Sequence, residues 1–270
     1  MSQKLSIAVD VFAICSALVA LFVVAFPAMA AEELSAGKLI KVYPEEETRL
    51  PYWLYLPREY DDSEDKYPLL LFLHGSGERG NDLDRVLNYG LPKRFAKGEH
   101  YPFIMIAPQC PNDSDPKNRE PDTEPKEFWA TPDTIDRAKN IIDYEIERLG
   151  RVDEDRVYVT GLSMGGYGTY HIVGRHPEVF AAAAPICGAG DGWLDYEAVA
   201  HVPFWAFHGE KDRVVKLADQ QKTVDALKAA GASVRFTIYP NVGHRSWDRT
   251  YANPELFEWL LAQKREQKEE

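Results

Sequence analysis

The stretch Val157-Tyr158-Val159-Thr160-Gly161-Leu162-Ser163-Met164-Gly165-Gly166 decides the fold of this chain. Its first four residues form a short, mostly apolar run that predicts a buried strand, and a helix is predicted from Met164 to Gly174. Ser163 therefore lies in a Gly-x-Ser-x-Gly turn between a strand and a helix, the setting in which such a serine is a nucleophile. Gly161 and Gly165 leave room for the tight turn, which pushes the serine oxygen outward.

Apolar runs on both sides of this stretch predict the rest of the sheet, because short continuous runs are typical of strands covered on both faces. The predicted strands are Leu39 to Tyr43, Arg49 to Leu56, Leu69 to Leu73, Phe103 to Ala107, Val157 to Thr160, Ala181 to Ile186, Phe204 to Phe207 and Val234 to Tyr239. The predicted helices are Thr131 to Leu149, Met164 to Gly174, Leu217 to Ala230 and Phe257 to Gln263. This alternation predicts an α/β fold with a mainly parallel sheet of the eight-stranded type and helices on both faces.

Ser163 needs a base to act as a nucleophile, because a serine alcohol is a poor nucleophile by itself. In such sheets, functional sites form beyond the carboxyl ends of the strands. Of the seven histidines, His244 alone lies after a plausible acid that follows a late strand. It comes directly after the strand Val234 to Tyr239, so we predict that His244 is the base. The alternative is a histidine in a surface loop.

An acid must orient that histidine and stabilise its cation. Asp212 is the preferred candidate because it lies directly after the strand Phe204 to Phe207. Glu210 lies close by, and Asp191 follows the preceding strand, so both remain alternatives.

Backbone N–H groups are predicted to bind the oxyanion. The segment Leu73-His74-Gly75-Ser76-Gly77 follows a buried strand and is expected to supply one donor, from Ser76 or Gly77. The second donor is the N–H of Met164, the residue after the nucleophile. His74 is expected to brace this loop. The polar side chains that follow are interpreted as an internal salt-bridge network rather than substrate contacts, and they are Glu78, Arg79, Asn81 and Asp82.

The N-terminal segment predicts export. An apolar run from Val11 to Phe26 precedes Ala28 and Ala30, which match an A-x-A cleavage site. Residues 1–30 are therefore interpreted as a signal peptide and residues 31–270 as a single catalytic domain, secreted or periplasmic. An uncleaved anchor helix is the alternative, but Asp10 limits the apolar run to the 16 residues from Val11 to Phe26, below the roughly 20 residues that span a bilayer. No stable membrane insertion is expected after cleavage.

The net charge bears on which macromolecules the protein can bind, and the cysteine content bears on disulfide formation. The formal net charge is −12, and an acidic surface repels phosphate backbones, so nucleic acid is not expected as a partner. The oligomeric state cannot be deduced. Cys110 and Cys187 remain after cleavage, and in an oxidising compartment they can pair. The alternative is two buried free thiols.

Taken together, these residues resemble the α/β-hydrolase superfamily, from about Lys38 to Ala262. The likeness is to its single-domain secreted carboxylesterases, which are grouped with phospholipase/carboxylesterases, feruloyl-esterase-like proteins and prolyl-oligopeptidase-type catalytic domains. It rests on the segments Leu73–Asp82, Ala107–Pro111, Gly161–Gly166, Pro185–Gly188 and Gly243–Trp247. The resemblance implies an acyl-enzyme mechanism with no metal and no organic cofactor.

Two departures from relatives predict an open site. Only about 35 residues of the mature chain precede the first buried strand, so no propeller domain is expected, and only Cys187 to Val202 separate two late strands, so no cap domain is expected. The irregular loop from Pro111 to Ala130 follows a strand end and is expected near the site. Trp129 and Trp247 are candidate substrate-binding residues, although Trp129 is equally well explained as packing at a helix start.

The leading hypothesis is therefore a secreted serine carboxylesterase for short-chain or aromatic esters, including acetyl or feruloyl esters of polysaccharide. A small-peptide hydrolase is the enzymatic alternative, because the same triad cleaves amides. A non-catalytic binding protein of the same fold is a third hypothesis, although every triad position is filled.

Overall fold

The computed structural model describes residues 34–112, 128–190 and 194–265. The chain divides into two units, Met1–Glu33 and Leu34–Glu270, and the fold below is that of the second. The predicted signal peptide, most of the loop from Pro111 to Ala130 and the alternative acid Asp191 lie outside the described residues.

An eight-stranded sheet organises the described chain. Its strands are β1 (Leu39–Val42), β2 (Tyr52–Tyr55), β3 (Tyr67–Leu73), β4 (Ile104–Pro108), β5 (Val152–Leu162), β6 (Ala182–Ile186), β7 (Phe204–Gly209) and β8 (Val234–Tyr239). Their order is β1-β2-β4-β3-β5-β6-β7-β8. The pairings β1–β2 and β2–β4 are antiparallel, and all others are parallel. The predicted α/β-hydrolase fold with a mainly parallel sheet is confirmed.

Six α-helices accompany the sheet in the described part of the chain. They are α1 (Gly90–Ala96), α2 (Pro132–Leu149), α3 (Met164–Arg175), α4 (Leu217–Ala229), α5 (Trp247–Thr250) and α6 (Pro254–Leu261). Two 3₁₀ segments, Ser76–Glu78 and Leu83–Asn88, lie between β3 and α1. No helix among these residues is long and apolar enough to cross a membrane.

Helix ends follow local chemistry. Thr131 caps α2, with its Oγ1 accepting a hydrogen bond from the N–H of Thr134 at 3.3 Å. The last helix begins at Pro254, three residues before the predicted start, because Asn253 caps it and proline suits the first helical position. Helices α1 and α5 were not predicted, since both are too short to show a helical period.

Strand β5 also begins five residues before its predicted start. The added residues include the polar run Asp153 to Arg156, which no apolar pattern marks as strand. Val152 nevertheless pairs with Tyr67, and the register shifts before Leu69 pairs with Val157. Pairing with β3 therefore extended this strand beyond its apolar part.

The hydrophobic core has two parts, one on each face of the sheet. Alternate residues of β3 enter different clusters: Leu69, Leu71 and Leu73 belong to one, and Leu70 and Phe72 to the other. Because side chains alternate along a strand, this division is the signature of a sheet buried on both faces.

Candidate active site

Ser163 sits at a strained turn between β5 and α3. Its backbone φ is +55°, a conformation that is costly for a residue with a side chain. The Ser163 N–H donates to the carbonyl of Ile186 on β6 at 2.9 Å, which anchors the turn to the neighbouring strand. A Cβ at Gly165 would lie 1.9 Å from the Leu73 carbonyl oxygen, so only glycine permits this close approach.

The sheet order brings His244 and Asp212 to this turn, because each follows the carboxyl end of a strand on the same side of β5. The Ser163 hydroxyl donates to His244 Nε2, with 2.9 Å between oxygen and nitrogen. His244 Nδ1–H donates to Asp212 Oδ2 at 2.7 Å. The three predicted residues therefore form one continuous relay, in which a proton can pass from the serine to the histidine.

Asp212 is held as an acceptor on both of its oxygens. Its Oδ1 accepts hydrogen bonds from the N–H groups of Val214 at 2.8 Å and Val215 at 3.0 Å. The Asp212 side chain is fully buried, so these donors replace water in stabilising its charge. Glu210 instead accepts from the N–H of Asn241. Between these two predicted candidates, the structure brings Asp212 to the histidine.

Trp247 packs against His244. The two rings meet edge to face at 88°, with 5.3 Å between centroids. The tryptophan is buried, and the His244 side chain is 19% exposed. Trp247 therefore restricts the ring orientation of His244 while one side remains open to solvent. Its predicted contact with substrate stays a prediction.

The predicted oxyanion loop lies beside the turn that carries Ser163. Gly75 packs so closely on Leu162 that a Cβ at Gly75 would lie 2.9 Å from Leu162 Cδ1. Ser76 and Gly77 follow in a 3₁₀ segment directly after this contact. Met164 is the first residue of α3, and the first N–H groups of a helix have no intrahelical acceptor. These amides are available to a developing oxyanion, and their role stays a prediction.

His74 braces the loop through both ring nitrogens. Nδ1–H donates to the Gly75 carbonyl at 2.6 Å, and Nε2 accepts from the N–H of Cys110 at 2.9 Å. Burial lowers the pKa of His74 to about 4, so its ring is neutral at pH 7. Because the ring is neutral, Nε2 keeps the lone pair that accepts the hydrogen bond from the Cys110 N–H.

Hydrogen bonds to backbone carbonyls, rather than the predicted salt-bridge network, hold the rest of this loop. Gln109 donates to the carbonyls of Glu78 and Asp82, and Arg85 donates to the carbonyl of Gly77 at 2.7 Å. Burial raises the pKa of Glu78, which disfavours the charged carboxylate that an ion pair needs. Sequence analysis did not identify Gln109 and Arg85, because a pattern of charged residues does not show which side chains bind backbone carbonyls.

An apolar pocket of about 290 Å³ adjoins the start of α3. Its lining residues are Phe128, Trp129, Ala130, Met164, Tyr167 and His171. Trp129 is fully buried and donates its indole N–H to the His74 carbonyl at 3.0 Å. It thus both packs at the helix start and forms a pocket wall. Trp247 lies elsewhere, in a polar pocket with Lys93 and Arg245.

Among the described residues, one group of side chains could hold a metal ion, and it consists of Cys187, Asp212 and His244. Their ligand atoms lie within 4.8 Å of one another. Burial raises the pKa of Cys187 to about 12, so its sulfur remains a protonated thiol and a poor ligand. His244 already uses both nitrogens in the relay. The donor set therefore fits a proton relay better than a bound cation.

The family model described as "Dienelactone hydrolase family" matches residues 103–253, which is just over half of the chain. A solved structure described as a thermostable esterase is 34% identical, with a TM-score of 0.64, over 84% of this chain and 64% of that one. A feruloyl esterase module from Clostridium thermocellum shares the fold at 15% identity, with a TM-score of 0.61, over 87% of this chain and 92% of that one.

Curated relatives include both esterases and peptidases. The carboxylesterase SOBER1 of Arabidopsis thaliana is 30% identical over 41% of this chain and 51% of its own length. Dipeptidyl-peptidase 5 of Porphyromonas gingivalis is 23% identical over 71% of this chain and 32% of its own length. The matched region thus spans about half the length of SOBER1 and about a third of the length of dipeptidyl-peptidase 5.

Proposed function

The chain belongs to the dienelactone hydrolase family, and within that family we propose that it is a serine carboxylesterase for short-chain or aromatic esters. The observation that carries this proposal is the relay of 2.9 Å from Ser163 to His244 and 2.7 Å from His244 to Asp212. A serine activated in this way attacks acyl carbons.

The reaction begins when His244 Nε2 takes the hydroxyl proton of Ser163 as the serine oxygen attacks the ester carbonyl. The amides of Met164 and of Ser76 or Gly77 stabilise the oxyanion, and one such donor contributes roughly 3–4 kcal/mol. The imidazolium then protonates the departing alcohol, which leaves an acyl-enzyme. Asp212 stabilises the imidazolium throughout. Water, deprotonated by His244, attacks the acyl-enzyme and releases the carboxylic acid.

The apolar pocket supports the proposed substrate class. Its volume of about 290 Å³ accommodates a short aliphatic or single-ring acyl group, and its lining is dominated by aromatic and aliphatic side chains. Met164 links the pocket to the turn, because it directly follows the nucleophile. Acetyl or feruloyl esters of polysaccharide are the natural substrates that we propose.

A peptidase is the second candidate, and the similarity to dipeptidyl-peptidase 5 favours it. The experiment that separates the two compares p-nitrophenyl acetate and butyrate with aminoacyl anilides on the purified full chain. We expect a higher kcat/KM for the esters. A clear preference for the anilides would overturn the esterase proposal.

Covalent labelling tests the nucleophile independently of substrate choice. A fluorophosphonate probe should label the wild-type protein and fail to label Ser163→Ala, because only an activated serine reacts with it. Equal labelling of both proteins, or no labelling of the folded wild type, would contradict the serine hydrolase mechanism and favour the binding-protein hypothesis.

We also propose export, with cleavage after Ala30, from the apolar run and the small residues at the predicted cleavage site. Expression of the full chain in a secreting host should give a product that begins at Ala31 by N-terminal sequencing. An intact N-terminus on a membrane-bound product would instead favour the anchor helix.

A further inference from the structure

His208 is a fully buried histidine that the proposed reaction does not use. It lies near the end of β7, and its Nε2 is 3.0 Å from the carbonyl oxygen of Val215 and 3.3 Å from Asp212 Oδ2. Asp212 already accepts three N–H donors, so it is a carboxylate here. Both neighbours of His208 Nε2 are therefore acceptors, and Nε2 must carry a hydrogen.

The other ring nitrogen faces Gln220, which is also fully buried. The Gln220 amide nitrogen lies 3.4 Å from the carbonyl oxygen of Pro185 and 3.4 Å from the hydroxyl of Tyr170. A carbonyl only accepts, so Pro185 fixes the amide with its nitrogen toward β6 and its oxygen toward His208. The Gln220 oxygen then accepts from His208 Nδ1, which must also carry a hydrogen.

We propose that His208 is a buried imidazolium and that it is a positioning residue for Asp212 in the ester hydrolysis proposed above. Asp212 then lies between two histidines. His244 exchanges protons with Ser163 and the substrate, whereas His208 keeps both of its ring protons during the reaction. The fixed cation holds Oδ2 in place and partly offsets the negative charge that Asp212 presents to His244. Loss of this cation would expose His244 to the full charge of Asp212.

The titratable groups around this pair are few within the described residues. Those with a contact or interaction in the structure are His244 beyond Asp212, Cys187 after β6, and Tyr170 of α3 beyond Gln220. Burial raises the pKa of the Cys187 thiol and of the Tyr170 phenol, so neither is charged near pH 7. The balance of charge at Asp212 therefore depends on the two histidines.

The protonation state can be measured directly on the full chain. Nitrogen-15 NMR of protein labelled at histidine should show, at pH 8, one histidine with a hydrogen on each ring nitrogen. That signal should be missing in His208→Gln. A hydrogen on only one nitrogen of His208 would overturn the proposal. This result does not depend on the substrate, so it stands even if the wild type hydrolyses no ester, an outcome that would refute the proposed function instead.

Kinetics test the positioning role. His208→Gln keeps one donor and loses the charge, whereas His208→Leu loses both. His201→Gln is the matched control, because His201 is exposed and its Nε2 hydrogen-bonds to the Pro177 carbonyl, away from Asp212 in the chain. We expect His208→Gln to lower kcat about tenfold with KM unchanged, because a misplaced acid misorients the base.

The pH profile separates positioning from packing. Loss of the cation should move the acid limb of kcat/KM upward by about one pH unit in both His208 variants, with kcat higher in His208→Gln than in His208→Leu. A loss of thermal stability with an unmoved acid limb would assign His208 a packing role only and overturn the proposal. The NMR measurement on the wild type decides the question if neither variant folds.

Discussion

At the scale of single residues, the site depends on how each polar group is satisfied. Asp212 and Glu210 are two residues apart in the same loop, but the Asp212 carboxylate contacts His244 and Glu210 contacts the backbone of Asn241. Two backbone N–H groups fix Asp212 from the other side. Hydrogen bonding thus gives two similar side chains different roles.

Replacing Asp212 by asparagine should lower kcat/KM on p-nitrophenyl acetate by about 10⁴-fold, because the amide favours the wrong tautomer of His244. Glu210→Gln is the matched control and should retain nearly wild-type activity, since Glu210 contacts the backbone of Asn241 and not His244. A loss in Glu210→Gln or Asp191→Asn as large as that in Asp212→Asn would contradict this assignment.

His74 should make the protein sensitive to acid. Its folded pKa of about 4 lies below the ordinary value of 6.5, so its contribution to stability is complete above pH 6.5 and is lost as pH falls toward 4. Linkage then predicts a loss of about 2 kcal/mol of unfolding free energy at pH 5 from this residue alone. Protonation of Nε2 also displaces the Cys110 N–H, which loosens the oxyanion loop.

Urea unfolding at pH 7 and pH 5 measures this effect. His74→Gln should show a smaller pH dependence than the wild type, and His201→Gln, altered at an exposed histidine, should match the wild type. If His74→Gln and the wild type lose the same free energy between the two pH values, His74 is not the acid-sensitive group.

At the scale of elements, the turn between β5 and α3 is the most constrained part of the fold. The start of α3 presses on the end of β3, where a Cβ at Gly165 would meet the Leu73 carbonyl, and a Cβ at Gly161 would lie 2.2 Å from the Gly165 carbonyl oxygen. These contacts allow the predicted oxyanion loop and Ser163 to lie side by side. The strain at Ser163 is therefore supported by close packing of two strands and a helix.

Gly165→Ala should destabilise the protein by about 3 kcal/mol or more, or prevent folding, because rigid backbone cannot move away from the added methyl group. Gly243→Ala is a suitable control for stability, since its nearest neighbour would lie 3.9 Å away. Thermal and urea unfolding compare the two. Similar stability of Gly165→Ala and the wild type would show that the turn relaxes more readily than its packing indicates.

At the scale of the whole molecule, the sheet separates the core into two parts. Cys110 belongs to the cluster that contains Leu71, and Cys187 belongs to the cluster that contains Leu70. Both cysteines are buried, and no disulfide joins them within the described residues. Because the sheet lies between them, Cys110 and Cys187 do not form the disulfide considered from the sequence.

Thiol titration tests this arrangement. In a Cys15→Ser variant of the full chain, only Cys110 and Cys187 remain to react. We expect no reaction in the native protein and two reactive thiols in denaturant without reductant, because burial blocks access and raises the pKa of Cys187. Failure of the denatured protein to react would indicate a disulfide.

The sequence by itself determined the strand order along the chain, the Gly-x-Ser-x-Gly turn between β5 and α3, and the position of His244 after β8. These features depend on apolar runs and on residues that directly follow strands, which are local patterns. Boundaries were less well predicted where tertiary pairing extended a strand, as at Val152, or where a helix was too short to show a period, as in α1.

Only the tertiary structure decided how the loops meet. It brought Asp212 rather than Glu210 to His244, placed His208 behind Asp212, and put Cys110 and Cys187 on opposite faces of the sheet. Some of these contacts join residues that are distant in the chain. Others depend on small changes in the direction of a loop. They follow from strand order, register and backbone hydrogen bonds, which no local pattern of apolar and charged residues records.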